Sequence, residues 1–177
     1  NSDKLFTGGG IMFSNRTTFD SLNRLTLRVA LFPKSYDDLN SFGNGSYRIE
    51  ERVDASVGWN SDSSKKFSYS FSAGLRDENL GGDTYTGSTS LSWRPSDRFG
   101  LNLHVGYQDR DGWLLHQEGE NFTTFKAEQW APKFSVDYFI SARQQFRISL
   151  QWIGIKAVED EFYLIPAEPG DLIPTDK

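Results

Sequence analysis

Two groups of residues have types and spacing that could do chemistry. Arg48, Glu50, Arg52 and Asp54 alternate with Tyr47, Ile49, Glu51, Val53 and Ala55, so a strand over Tyr47–Trp59 would carry all four charges on one face. Such a ladder can line a pore and guide polar solutes. It can equally brace an interior as an ion-pair network, because adjacent opposite charges cancel each other's field. Arg28, Asp137, Arg147 and Gln151 fall on the polar faces of other strands and are expected to join the same lumen lining. His104, beside Asn102, is the ninth member. With a serine in hydrogen-bond reach it would suggest a barrel-embedded hydrolase. A lipase of that kind needs its histidine on the lipid face, and His104 falls on the opposite one, so no catalytic residue is assigned. His116 belongs to a loop, and two histidines without ligand spacing do not make a zinc site. Asp77-Glu78-Asn79 and Asp109-Arg110-Asp111 lack the spacing of a dedicated calcium loop and read as a solvated acidic rim. No metal or cofactor is expected. Trp113 and Trp130 could stack on sugar rings, but packing within an extended hairpin explains them as well.

These side chains need strands to position them. Phe67, Tyr69, Phe71, Ala73 and Leu75 alternate with Ser68, Ser70, Ser72 and Gly74. After a Gly-Gly-Asp break, Tyr85, Gly87, Thr89, Leu91 and Trp93 alternate with threonines and serines. Leu101, Leu103, Val105 and Tyr107 then alternate with Asn102, His104, Gly106 and Gln108. A strict two-residue period puts one set on each face, which predicts three consecutive antiparallel strands. Leu25–Leu31, Phe134–Ile140 and Phe146–Trp152 repeat the pattern. Residues 5–13 suggest a poorly patterned first strand and 15–23 a polar turn. Asp109–Pro132 is expected to extend its hairpin well past the neighbouring ones. Residues 158–177 read as an acidic, proline-rich surface loop or tail of a single domain spanning 1–177.

The chain of 177 residues has 15% aromatics and a formal charge of −5, with a mean hydropathy of −0.56. That combination suits a membrane β-barrel, where only alternate residues face lipid. The acidic balance argues against nucleic acid as a partner, and the absence of cysteine excludes disulfides and thiolate metal sites. No signal peptide opens the sequence. A soluble lipocalin-like barrel or sandwich, with the apolar face inward and an apolar ligand bound, fits the alternation too.

Three features favour the membrane. The apolar faces are about nine residues long, matching a tilted transmembrane strand. Trp59, Phe67, Trp93, Phe99 and Phe146 flank the short turns, while Tyr47, Tyr85, Tyr107 and Trp152 fall toward the other strand ends, as two aromatic girdles would. The polar faces carry serine, threonine and glycine rather than the lysine and glutamate common on water-facing strands. Short turns carry Lys65, Lys66, Arg94, Arg98 and Arg143, whereas the longer loops are acidic. Long loops on one side are the outer-membrane pattern.

Several stretches resemble a known family. These are Tyr138–Arg147, Leu150–Ala157, Glu161–Tyr163, Asn15–Asp20 and Ser41–Gly45. They are similar to large Gram-negative surface proteins in which a carbohydrate-binding-module-family-9-like domain precedes a domain of unknown function taken to be an outer-membrane barrel. The resemblance implies a match to the later part of that barrel domain, a sugar-binding module elsewhere, and no established activity. The expected fold is therefore all-β, an antiparallel up-and-down transmembrane barrel or a section of a larger one. The expected role is passage, docking or anchoring at the cell surface, with carbohydrate implied only by the resemblance. The expected partners are the bilayer, lipopolysaccharide and whatever strands or second chain complete the barrel.

Overall fold

Antiparallel pairing carries the whole main sheet in the computed structural model, which describes residues 5–176. Its strands are β1 (Ile11–Thr18), β2 (Arg24–Phe32), β5 (Arg52–Asn60), β6 (Phe67–Asp77), β7 (Asp83–Ser96), β8 (Phe99–His116), β9 (Asn121–Ser141), β10 (Gln144–Gln151), β11 (Gly154–Leu164) and β12 (Ile173–Thr175). Each of the first seven lies beside the next, and β9 then pairs with both β10 and β11. A separate two-stranded ribbon joins β3 (Ser35–Asp37) to β4 (Tyr47–Ile49). The three strands expected from alternation form as β6, β7 and β8. The β8–β9 hairpin extends to His116 and Asn121, past its neighbours.

Local chemistry sets the strand limits. Pro33 ends β2, and Phe32 pairs with Arg52 as the last rung. Residues 50 and 51 therefore have no partner in the main sheet, and the chain turns away. The Asn79 side chain receives the Glu50 backbone N–H at 2.8 Å, and Asp77 receives that of Val53 at 2.9 Å. The single strand expected over Tyr47–Trp59 is thus two strands in two sheets.

Proline acts again in the middle of β9. Gln151 pairs with Lys133 and Gly154 with Trp130, so β10 and β11 keep one register. Trp152 donates its N–H to the Pro132 carbonyl at 3.0 Å, but Pro132 has no N–H to return. The interruption at Trp152–Ile153 is one missing rung in a continuous strand. Pro95 sits in a third irregularity, the register shift between Trp93 and Ser96.

Three readings change. The first strand begins at Ile11 and runs through the polar residues to Thr18, where a turn was expected. Residues 158–164 continue β11 rather than joining a loose tail, and Ile165 and Leu172 beyond them are buried. The sheet also does not close into a barrel. Among the described residues β1 pairs only with β2, and β10 pairs only with β9, leaving two free edges.

Candidate functional site

Register turns the alternation of single strands into continuous rows across the sheet. One row runs Leu25, Trp59, Phe71, Thr89, Val105, Pro132. The next toward the short turns includes Tyr69, Leu91, Leu103, Phe134 and Leu150. Directly opposed residues point to the same side of an antiparallel sheet. Every apolar stripe therefore falls on one face, and none of the described residues forms a layer over it. Leu150 is 63% exposed, Phe67 53% and Phe71 48%. Soluble chains rarely leave so large a contiguous apolar surface open.

The aromatic residues frame this face. Near the short turns, Trp93 meets Phe99 edge-on at 5.7 Å and Phe19 lies 5.8 Å from Trp59. Phe67 and Phe146 share this end, opposite Trp93 and Tyr138. At the long-loop end Tyr85 pairs with Leu75, and Tyr107 lies 4.5 Å from Trp130. The Trp152 ring covers Gly154, the residue opposite Trp130, so it belongs to the same level. Tyr47 does not. It is buried in a loop-end core described below.

The other face carries small polar groups. A central row runs Thr18, Arg24, Asn60, Ser70, Ser90, His104, Lys133 and Gln151. Residues along it, from Arg24 to Lys133, line one cleft of about 840 Å³, so the sheet curls around its polar side. Ser72 and Ser88 hydrogen-bond at 2.8 Å, as do Ser90 Oγ and His104 Nδ1. The last contact supplies a hydroxyl and an imidazole in reach of each other. No carboxylate orients the ring, since His104 makes no second hydrogen bond among the described residues, and the pair reads as one link in the hydrogen-bonded row. The turn at residues 61–64 folds over the short-turn end of the cleft. There Asp62 takes the Ser64 N–H and gives a backbone N–H to Asn23. Hydrogen bonds from Ser64 hold its carboxyl below the usual range.

Seven of the nine residues expected to line a lumen share this face. Arg28 lies between Ser14 and Ser56. Asp54 pairs with Arg76 at 3.0 Å, and Asp137 pairs with Arg147 while receiving Gln145 at 2.9 Å. Arg52 lies 5.6 Å from the Phe32 ring, and its Nε is buried without a hydrogen-bond partner. His104 and Gln151 are in the central row. Arg48 and Glu50 are not on the face at all. Glu50 binds Lys34 at 2.6 Å, a bond that holds its carboxyl below the usual range, and Arg48 bridges Glu50 and Asp171. The charge ladder is therefore split, because its upper half left the sheet at residue 50.

Above the sheet, Tyr47, Phe122, Tyr163, Ile165 and Leu172 form a buried core, with Ile49, Leu80 and Leu114 against it. Phe122 is 1% exposed and meets Tyr47 edge-on at 5.1 Å. Burial pushes the Tyr47 hydroxyl far up, and burial plus the Glu161 carboxylate push that of Tyr163 up to about 12. The far end of the chain ties into this core. Arg48 donates its N–H to the Gly170 carbonyl at 2.7 Å. A bulge in β8 lets the loops approach: Gly112 has φ +81° beside the Gly81 carbonyl, and a Cβ on Gly82 would lie 2.6 Å from the Asp111 carbonyl oxygen. Sequence reasoning missed this core, because its members come from four separated segments with no shared period.

Among the described residues no helix is long and apolar enough to cross a membrane, which leaves strands untouched, and no three acidic or histidine side chains cluster as a metal site. The fold and its faces define an all-β chain built on an open antiparallel sheet, with one uncovered apolar face and one curled polar face. No family model, curated protein or solved structure matches it.

Proposed function

We propose that this chain is wall of an outer-membrane β-barrel in a Gram-negative bacterium, serving passage, docking or anchoring at the cell surface. The single observation that carries the proposal is the apolar face, continuous from β2 to β10, framed by aromatic residues and left exposed by the described residues. Acyl chains are the medium that would favour it. Leaving it in water would forgo roughly 25 cal/mol for each Å² of apolar surface. Lipid also demands that backbone groups be paired, so the two free edges require further strands or a second chain. Short turns lie at one end and the acidic loops at the other, which orients those loops outward toward lipopolysaccharide. The family resemblance links carbohydrate to this role only through a sugar-binding module outside these residues.

Extraction behaviour tests this reading. Membrane wall should require detergent and migrate on gels at two positions, depending on whether the sample is boiled. Recovery of monodisperse chain from buffer alone would favour the soluble apolar-ligand domain instead.

A further inference from the structure

The polar face has a charge opposite to that of the whole molecule. The chain totals −5. Across the sheet's polar rows, Arg16, Arg24, Arg28 and Lys133 make no ion pair among the described residues. The two carboxylates in those rows, Asp54 and Asp137, are each paired with an arginine directly opposite on the adjacent strand, Arg76 and Arg147. Asp62 at the short-turn end has Lys65 within 3.8 Å. Most other residues of these rows are hydroxyl, amide, imidazole or glycine, with Arg52, Met12, Ala30 and Ala131 among the rest. Two of the unpaired cations, Arg24 and Lys133, line the cleft from different strands, and the other two lie on β1 and β2. Arg24 and Lys133 sit at opposite ends of the central row, with Arg16 and Arg28 one and two rows higher on the β1–β2 side.

We infer that this face selects for anions, with chloride and small hydroxylated carboxylates as the solutes that fit it. The inference rests on the passage reading above. Cations on opposite walls hold an anion from both sides, and the serine row offers donors in place of lost hydration water. Rings of arginine and lysine are how pores choose anions. The acidic loops act against this at the outer mouth. Their field is screened within about 8 Å at physiological salt, whereas the lining charges act where the solute passes.

The test is the reversal potential of the closed barrel, this chain together with the strands or second chain that complete it, in planar bilayers under a potassium chloride gradient. The expected sign is that of chloride passing more readily than potassium. Arg28→Glu combined with Lys133→Glu should invert the sign. Arg28→Gln combined with Lys133→Gln, a gentler change, should move it toward zero, which keeps the test sound if the first variant does not assemble. Conductance that favours potassium or neither ion would overturn the inference and leave passage standing. Chloride preference unchanged in both variants would overturn the assignment to these residues. No conductance in any preparation would remove the passage reading and this inference together.

Discussion

The apolar belt and the loop-end core are built from the same residue types, yet they use them in opposite ways. Phe71, Leu103 and Leu150 obey a strict period on a face that the described residues leave uncovered, with Phe71 and Leu150 exposed and Leu103 half-buried. Phe122, Tyr163 and Leu172 obey no visible period and are buried. The belt needs a solvent to complete it, and the core completes itself. Period therefore tells which face a residue shares. It does not tell what lies against that face.

The comparison can be broken or sharpened by substitution. Phe122→Ala has the largest expected effect, a loss of about 3–5 kcal/mol from the loop-end core. Amide exchange should show lost protection around β4, β11 and β12 while β6 and β7 keep theirs. Loss spread evenly over both regions would mean that they are not separate units. Leu103→Arg comes next. In acyl chains it should cost about 2–4 kcal/mol in urea titrations of vesicle-folded chain. On a water-wet face the same change should fall within about 0.5 kcal/mol of zero, which would remove the distinction between the regions.

A smaller effect is expected at the bulge that seats the core. Gly112→Ala should cost about 1–2 kcal/mol from its left-handed backbone alone, with the approach to Gly81 adding to it. Thermal melts followed by near-ultraviolet circular dichroism would register the shift, and an unchanged midpoint would argue that the two loops are not in contact. The smallest effect is one of pH. Tyr163 is held protonated up to about 12, against an ordinary value of 10.0. Its contribution is fully present below pH 10 and is lost as pH rises from there through 12, because the unfolded tyrosine ionises first. The near-ultraviolet signal of the core should fade across that window, and less so in Tyr163→Phe. An identical profile in the variant would assign the transition to another group, with Tyr47 the first candidate.

Legibility in the sequence follows the same division. The rows through β6, β7 and β8 were readable because each strand has one apolar and one small polar face, and the register adds only their alignment. The split of the charge ladder was legible only in part: Glu51 breaks the apolar side between Ile49 and Val53, where the strand divides, but the missing partner is decided far away, at Pro33. Strand β11 was hidden for another reason. Lys156, Asp160 and Glu161 leave it no apolar stripe, and it forms because β9 offers it a ladder. The Ser90–His104 contact needed two strands in register, which single-strand periodicity does not contain.

Depth-resolved quenching in bilayers tests the central claim most directly. Two single-tryptophan versions of the chain, keeping Trp93 in the belt or Trp113 in the loop-end region, would be folded into vesicles containing brominated acyl chains. The account predicts strong quenching of Trp93 by the bromines and little of Trp113. Trp93 quenched by aqueous iodide and untouched by the bromines would contradict it.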